Sequence, residues 1–323
     1  MSTYQESWLL GPPIHQLLHP HLPLPPPPPP HAALVFIHGF IEHIARYDHV
    51  FSAFAARGIT VFAYDQRGFG RTALDEGGRS KGSAYAKTSW REQLEDVEWA
   101  VGRVRRGEVP GCEGVPVFLY GHSMGGGLCL AFPTRTTRPP SPDTLSSISG
   151  IIATSPLLTA TKPASKAVRW IGGKASVLAP SLTIPAEVAA EVLSHDPEVI
   201  KNNIDDPLIK RVGSLRGLSD MLDGGEKLLK EDHARWPKAL PLLLIHGSDD
   251  QGTSCESTEE FYKKVTADDK TFSCYPGGYH ELHNEPDGVK EKLIEECISW
   301  VEAKVKAKAA AGITITATPS SKL

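Results

Sequence analysis

Short apolar runs alternate with amphipathic stretches along most of the chain from Ala32 onward. The first run, AALVFIHGF, is apolar at nearly every position, which is typical of a strand buried on both faces of a sheet. Similar runs follow, namely ITVFAYDQRGFG, VPVFLYGHS, ISGIIATSP, LPLLLIHGSDD and KTFSCYPGGYHE. Helical spacing is found in RYDHVFSAFAARG, SWREQLEDVEWAVGRVR and KEKLIEECISWVEAKVKAK. Strands that alternate with helices pair in parallel, so the sequence predicts an α/β fold with a mostly parallel central sheet flanked by helices.

The alternation stops between Pro156 and Trp236, where the sequence is helical in character and contains prolines. About 80 residues between two strand signals are too many for a loop of the main fold. We therefore expect residues 156–236 to form a helical cap or lid inserted over the sheet. Residues 32–155 and 237–308 then form the core.

Both ends of the chain differ in composition from this core. Residues 11–31, GPPIHQLLHPHLPLPPPPPPH, are rich in proline, which removes a backbone donor and favours the extended polyproline form. We interpret residues 1–31 as an N-terminal segment with a surface linker and expect no regular element in the proline-rich part. A proline-rich ligand for a signalling domain is the alternative. Residues 309–323 are predicted to be a flexible tail.

Composition and charge exclude several classes of protein. The chain has 323 residues, 40% apolar and 22% charged, with a net charge of −4, as in an ordinary soluble globular protein without a nucleic-acid footprint. Five widely spaced cysteines without a C-x-x-C pair argue against a disulfide framework and a zinc site, and they suit a reducing compartment. Neither a long apolar span nor the features of a signal peptide are found in the sequence.

The chain ends in Ser321-Lys322-Leu323, which matches the C-terminal address read by the peroxisomal import receptor. The preceding residues, AAAGITITATP, are mostly small and polar, as expected of a tail that a receptor reads. We expect a peroxisomal protein, with cytoplasm or lipid droplet as alternatives, and no secretion.

The stretch FLYGHSMGGGLC has the pattern of a nucleophile elbow, with Gly121 and Gly125 two residues before and after Ser123. A serine held in a strained turn between strand and helix needs small neighbours at these positions. A phosphate cradle is the alternative use of such glycines. It needs G-x-x-x-x-G-K-[ST], or G-x-G-x-x-G at the first helix, and neither is present.

A serine nucleophile needs a histidine base and an orienting acid, which in this fold follow in the order Ser, Asp or Glu, His. Two later strands end in suitable residues. LPLLLIHG is followed by Asp249 and Asp250, and TFSCYPGG leads to His280. Spacing alone does not choose between the two aspartates. We expect His283, three residues further on, to be a hydrogen-bond partner near the base.

The oxyanion of an acyl-transfer reaction needs two backbone N–H donors. One is expected from Met124, directly after the serine, and the other from Phe40 in the HGF loop that follows the first strand. Glu42 and Arg46, with His43 between them, either form a polar network that braces this loop or lie on a solvated face.

The motifs HGFIEHIARY, YDQRGFGRT, GHSMGGG, DPLIKR, HGSDDQGT and YHELHNE, in this order, resemble those of the monoacylglycerol lipases of the α/β-hydrolase fold, especially fungal ones. The resemblance runs from about Ala33 to Val305. It implies that Ser123 is the nucleophile, His280 the base and Asp250 the acid, with Phe40 and Met124 as oxyanion donors and no cofactor or metal.

The resemblance also implies a substrate and a partner. The substrate is a monoacylglycerol or a similar single-chain lipid ester, and the apolar cap touches a membrane or lipid droplet. Animal members carry cysteines near the acid and in the cap, where this chain has Thr253 and Lys210, so inhibition through thiols at these two positions is not expected.

Family members usually place a β-hairpin before the first motif, and residues 12–30 are not expected to form one. One permitted set of codons for Leu17 to Pro23, read one nucleotide out of frame, encodes Phe-Tyr-Thr-Arg-Thr-Tyr, a plausible hairpin strand. A frameshift in the gene is therefore a hypothesis for the proline-rich stretch. The coding DNA tests it, and an intact frame would contradict it.

Three alternative functions remain open. The same chemistry could act on a lysophospholipid, another carboxylic ester or a thioester. The chain could be an inactive hydrolase-fold protein that binds lipid or a partner. A proline-specific peptidase of the same fold would need an acidic grip in the cap, for which Glu187 and Glu191 are candidates. The sequence does not indicate an oligomeric state.

Overall fold

The computed structural model describes residues 5–11, 15–21, 30–186 and 189–316. The strands in chain order are β1 (Gln5–Gly11), β2 (His15–His21), β3 (Ala32–Ile37), β4 (Ile59–Ala63), β5 (Val117–His122), β6 (Ile148–Thr154), β7 (Thr183–Pro185), β8 (Val212–Ser214), β9 (Leu242–Gly247) and β10 (Lys270–Tyr275). The helices are α1 (Asp48–Ala56), α2 (Gly70–Leu74), α3 (Trp90–Arg105), α4 (Met124–Ala131), α5 (Pro142–Ser147), α6 (Lys166–Leu178), α7 (Pro197–Asp205), α8 (Leu215–Lys230), α9 (Cys255–Lys264) and α10 (Val289–Thr316). Short 3-10 helices lie at Ile44–Tyr47, Phe132–Thr134, Ala190–Val192, Asp232–Arg235 and Leu282–Asn284.

Within the described residues, the central sheet has eight strands in the order β1-β2-β4-β3-β5-β6-β9-β10. From β4 to β10 all neighbours are parallel, whereas β1 and β2 are antiparallel to each other and β2 is antiparallel to β4. The predicted α/β fold with a mostly parallel sheet is confirmed.

Alternate residues of each central strand face opposite sides of the sheet, which explains why the strands are apolar throughout. In β3, Val35 belongs to the same apolar cluster as Val97 of α3, whereas Phe36 belongs to the cluster on the other side, with Phe54 of α1 and Cys297 of α10. The parallel register places Ile37 opposite Gly121. The loops that follow β3 and β5 therefore meet at the carboxyl edge of the sheet.

Between β6 and β9 the chain forms α6, α7 and α8 with a two-stranded antiparallel sheet of β7 and β8. We call residues 156–236 the cap. Helix α8 is its inner layer, because Met221 and Leu228 are buried against the core. At Gly225 an added Cβ would lie 2.6 Å from the carbonyl oxygens of Leu157 and Leu158, so α8 directly contacts the chain that follows β6.

The N-terminal segment differs from our expectation. Residues 15–21 form β2, which makes an antiparallel hairpin with β1 and meets β4 at the pair His21–Phe62. The prediction that residues 11–31 contain no regular element and no hairpin is therefore wrong for β2. The strand contains one proline, Pro20, and a proline is tolerated in a strand near the margin of a sheet.

Residues 22–29, which hold most of the prolines of the proline-rich stretch, lie outside the described residues, as do residues 317–323 of the predicted flexible tail. Residues 309–316 continue α10, so the prediction of a flexible tail is wrong for them. The frameshift hypothesis stays a prediction about the coding DNA. Within the described ranges, the helices are too short or too polar to cross a membrane.

Candidate active site

Ser123 sits in a strained turn between β5 and α4. Its backbone angles, a φ of 53° and a ψ of −118°, lie outside the regions that residues other than glycine usually adopt. The two neighbouring glycines make the turn possible. A Cβ on Gly121 would lie 2.2 Å from the carbonyl oxygen of Gly125, and one on Gly125 would lie 2.1 Å from that of Ile37. The geometry is that of a nucleophile elbow.

Replacement of Gly125 by alanine should lower the free energy of unfolding by about 4 kcal/mol or prevent folding, because the methyl group meets two rigid backbone oxygens. Gly172→Ala is the matched control. Gly172 lies in α6 with nothing within 4 Å of an added Cβ, so alanine should raise stability by up to about 1 kcal/mol. Chemical denaturation measures both changes, and equal stabilities of the two variants would contradict the argument.

The predicted base and acid meet at the serine. The loop after β10 places His280 Nε2 at 3.0 Å from Ser123 Oγ, and the loop after β9 places Asp250 Oδ2 at 2.7 Å from His280 Nδ1. Burial distinguishes between the two aspartates, which sequence spacing alone does not. Asp250 is 4% exposed, whereas Asp249 is exposed and accepts a hydrogen bond from Ser248 at 2.6 Å.

Asp250 is held by donors on both carboxylate oxygens. Its Oδ1 accepts from the backbone N–H groups of Gly252 and Thr253 at 2.7 and 3.0 Å. Its Oδ2 accepts from His280 and also lies 3.0 Å from His246 Nε2 and 2.9 Å from Thr253 Oγ1. Burial alone would raise the pKa of Asp250, but the two imidazoles hold it well below its ordinary value. The carboxylate therefore stays ionised and accepts from both imidazoles.

The sequence did not single out His246 as a site residue. It is the second last residue of β9 and stands in an apolar run, so the sequence pattern does not distinguish it from a core residue. In the structure it is completely buried. Its other ring nitrogen, Nδ1, lies 2.8 Å from Thr258 Oγ1 in α9. His246 thus links the candidate acid to a helix of the scaffold.

His280 is buried, and both its ring and its backbone carbonyl make hydrogen bonds. The hydroxyl of Ser155, a residue with a φ of 44°, donates to the His280 carbonyl at 2.8 Å. The ring of His122 lies 4.9 Å from the His280 ring. Burial lowers the pKa of His280, but the charge of Asp250 and its hydrogen bond raise it more, so the net shift is upward.

The two expected oxyanion donors flank Ser123. Met124 is the first residue of α4, where a helix leaves its N–H groups without intrahelical acceptors. The loop that carries Phe40 lies against the serine, since a Cβ on Gly39 would be 3.0 Å from Ser123 Cβ. The N–H groups of Met124 and Phe40 therefore stay the predicted donors to the oxyanion.

A buried histidine fixes the same loop from the other side. His38 Nε2 accepts from the Gln66 N–H at 2.9 Å, and the Gln66 side chain donates to the His38 carbonyl at 2.6 Å. Burial lowers the pKa of His38 to about 3, so its ring is neutral. Its proton therefore lies on Nδ1, which donates to the Gly39 carbonyl at 2.7 Å.

Glu42 and Arg46 form a buried polar network, and the alternative of a solvated face is excluded by their burial. Glu42 accepts from the N–H of Gly39 and, at 2.8 Å, from the hydroxyl of Tyr47. Arg46 donates to Glu42 at 2.9 Å and to both oxygens of Glu281 at 2.8 and 2.7 Å. Burial would raise the pKa of Glu281, but Arg46 lowers it to about 2. This network joins the oxyanion loop to the segment of the base.

His283 does not play the part that we expected. Among the described residues, neither of its ring nitrogens has a hydrogen-bond partner. The ring instead stacks on Tyr47 at 4.5 Å and meets the edge of His122 at 4.8 Å. Burial lowers its pKa to about 3, so it is neutral. The prediction of a hydrogen bond is wrong because tertiary structure packs the His283 ring against the face of one ring and the edge of another, away from polar partners.

A cavity of about 60 Å³ opens at Ser123 between the core and the cap. Residues of both parts line it, among them Phe40, Ile41, Leu193, Asn203, Ile209 and Arg211. His43 ties the two parts together, since its Nε2 lies 2.7 Å from Asp206 Oδ2 of the cap. Among the described residues, no group of histidine, cysteine and carboxylate side chains is suited to hold a metal ion.

Comparison with known proteins agrees with this geometry. The Hydrolase_4 family, described as serine aminopeptidase S33, matches residues 28–287. A putative monoglyceride lipase of Schizosaccharomyces pombe is 34% identical over 276 residues, which cover 84% of this chain and 67% of that protein. The monoacylglycerol lipase of Mycolicibacterium smegmatis is 30% identical over 272 residues, or 83% of this chain and 87% of that one.

Among solved structures, a soluble variant of monoglyceride lipase from Saccharomyces cerevisiae in complex with a substrate analog has a similar fold. Its TM-score is 0.79 at 23% identity, and the match covers 94% of this chain and 96% of that chain. At this level of identity the similarity shows the fold alone.

Proposed function

Since the chain belongs to the Hydrolase_4 family of α/β-hydrolases and its relatives include monoglyceride lipases, we propose that it is a serine hydrolase that cleaves monoacylglycerols into fatty acid and glycerol. One observation carries the chemistry: Ser123, His280 and Asp250 form a continuous hydrogen-bonded series at the cavity between core and cap. The relatives supply the substrate class.

The proposed reaction follows from the geometry. Ser123 Oγ attacks the ester carbonyl while His280 Nε2 takes its proton, and the ionised Asp250 stabilises the imidazolium that forms. The N–H groups of Phe40 and Met124 bind the oxyanion of the tetrahedral intermediate. The alkoxide of glycerol leaves with the proton from His280. Water, activated by the same imidazole, then hydrolyses the acyl-enzyme and releases the fatty acid.

Product analysis tests the substrate class. With a monoacylglycerol as substrate we expect glycerol and fatty acid in equal amounts. A lysophospholipid, a thioester and an aminoacyl anilide serve as competing substrates, each compared by kcat/KM. A higher kcat/KM on any of these would overturn the assignment. Of the two candidate acids for the peptidase alternative, Glu191 is exposed, and Glu187 lies outside the described residues.

We further propose that the cap contacts a membrane or lipid droplet. Its exposed apolar side chains support this. Among the described residues, the exposed large apolar side chains all lie in the cap, and Trp170 and Leu178 of α6 are 67% and 87% exposed. The others are Val168, Ile171, Val177, Leu182, Ile184 and Ile204. Exposed apolar surface that is gathered in one part of a protein is typical of an interaction site.

Replacement of both Trp170 and Leu178 by serine should weaken binding to phosphatidylcholine vesicles by about 10-fold or more, because each apolar side chain contributes up to about 2 kcal/mol on burial. Sedimentation with vesicles measures the change. Hydrolysis of a water-soluble short-chain ester should stay the same. Lys201→Ser, at an exposed polar position of α7, is the control and should bind like the wild type. Equal binding by all three proteins would contradict the proposal.

We also propose that Ser321-Lys322-Leu323 directs the chain to peroxisomes through the import receptor. These residues lie outside the described ones, and the support for the proposal is their match to the address. A fluorescent protein fused before Met1 should colocalise with a peroxisomal marker and become cytoplasmic when the three residues are deleted. An unchanged distribution after deletion would contradict the proposal.

A further inference from the structure

Two cysteines outside the candidate active site lie side by side. The sulfurs of Cys255 and Cys274 are 3.9 Å apart, although the residues are 19 positions apart in the sequence. Cys274 is exposed and Cys255 is partly exposed, so small molecules in solution reach this pair. The remaining cysteines, Cys112, Cys129 and Cys297, are buried and therefore serve as internal controls.

The pair joins the two segments that carry the candidate acid and base. Cys255 is the first residue of α9 and lies two residues after Thr253, whose hydroxyl lies 2.9 Å from Asp250 Oδ2. Cys274 lies in β10, the strand that leads to His280, and is paired in register with His246 of β9. A movement of either cysteine is therefore transmitted to groups that contact Asp250.

The two thiols have different environments. Burial, together with the neighbouring Cys274, raises the pKa of Cys255 to about 12, so its thiol is protonated at neutral pH. Because Cys274 is the more exposed residue, an oxidant in solution encounters its sulfur first.

We propose that Cys255 and Cys274 are a redox-sensitive dithiol, which a hydroperoxide converts into a disulfide that slows the enzyme. The sulfur of Cys274 attacks one oxygen of hydrogen peroxide, the O–O bond breaks, and a sulfenic acid and one water form. The sulfur of Cys255 then displaces the hydroxyl group, which forms the S–S bond and releases a second water. Both thiol protons end in the two waters, the sulfurs lose two electrons in total, and the peroxide gains two.

The disulfide requires movement of both cysteines. A bonded pair of sulfurs is about 2 Å apart, so the two sulfurs, now 3.9 Å apart, must approach each other by about 2 Å, through rotation of their side chains together with a shift of the first turn of α9 against β10. Misplacement of catalytic groups by about 1 Å can cost up to about 100-fold in rate. We therefore expect the oxidised enzyme to hydrolyse its ester substrate about 10-fold more slowly, and a dithiol reductant to restore the rate.

Mass spectrometry tests the site independently of the activity, which rests on the proposed hydrolase function. After treatment with hydrogen peroxide, the full-length protein should lose two hydrogens. A proteolytic digest should then contain one linked pair of peptides with Cys255 and Cys274, while the buried cysteines stay reduced. Without that linked pair the proposal is overturned, whatever the activity.

Single variants test the order of the steps. In Cys255→Ser, the sulfenic acid should persist on Cys274 and be trapped by dimedone. In Cys274→Ser, dimedone should trap no sulfenic acid at Cys255. Before oxidation, both variants should have wild-type activity within about twofold, because neither sulfur contacts the series from Ser123 to Asp250, and this shows that they fold. The wild type should lose activity on oxidation and recover it on reduction, and both variants should keep it. A linked pair of peptides with unchanged activity would overturn the regulatory part of the proposal, as would an equal loss in all three proteins.

Discussion

Replacement of Ser123 by alanine should lower kcat for monoacylglycerol hydrolysis by about 10⁵-fold or more, because the hydroxyl is the atom that forms the acyl-enzyme. The fold should survive the change. Removal of the hydroxyl leaves the two glycines that permit the turn in place. It takes away one hydrogen bond, that of 3.0 Å to His280. Alanine at a φ of 53° is no more strained than serine.

Two measurements check this result together. The wild type should react with a fluorophosphonate probe and release glycerol, and Ser123→Ala should do neither while it unfolds at about the same temperature. Ser146→Ala, which removes an exposed hydroxyl of α5, is the control and should behave like the wild type. Retained labelling in Ser123→Ala would place the nucleophile elsewhere. A labelled wild type that releases no glycerol would support a serine hydrolase and contradict the lipid substrate.

The residues that sequence reasoning located best are those at the carboxyl ends of parallel strands. Ser123 and His280 follow β5 and β10, and in a parallel sheet such positions meet at one edge whatever the rest of the chain does. The choice of the acid is different. Spacing left Asp249 and Asp250 open and only the family resemblance implied Asp250, whereas the path of the loop shows that Asp250 turns inward to His280.

Contacts that depend on tertiary packing escaped the sequence. A histidine in an apolar strand looks like a core residue, so nothing marked His246 as a partner of Asp250. His283 had the right spacing for a hydrogen bond but is surrounded by rings. In the N-terminal hairpin, the pairing that a neighbouring strand provides overrides the local preference of proline.

Replacement of Asp250 by asparagine should lower kcat by about 10⁴-fold, and it should also change the pH dependence. An amide carries no charge and presents only one acceptor oxygen, whereas the carboxylate accepts from two imidazoles and two backbone N–H groups. The correct tautomer of His280 is then no longer enforced, and the imidazolium of the transition state loses its stabilising charge.

The direction of the pH shift follows from the causes that act on His280. Its neutral form is the base, so activity falls as the pH decreases through the pKa of this histidine. Burial lowers that pKa, and in the wild type the charge of Asp250 and its hydrogen bond raise it above the ordinary value of 6.5. Asparagine removes the two largest raising causes and leaves burial with the weaker effect of Glu281 and Glu42, so the acid limb of kcat/KM should move to lower pH although the rate is lower throughout.

Asp249→Asn is the matched control, because Asp249 is the exposed neighbour in the same loop. It should keep both the rate, within about twofold, and the acid limb of the wild type, since no contact joins its carboxylate to His280 and solvent screens its charge. A shifted limb in Asp249→Asn with an unshifted limb in Asp250→Asn would contradict our assignment, because it would show that Asp249 is the acid. A loss of rate in Asp250→Asn without any shift would mean that the carboxylate only positions the ring. The rate and the acid limb together therefore distinguish the electrostatic effect of Asp250 on His280 from its role in orienting the His280 ring.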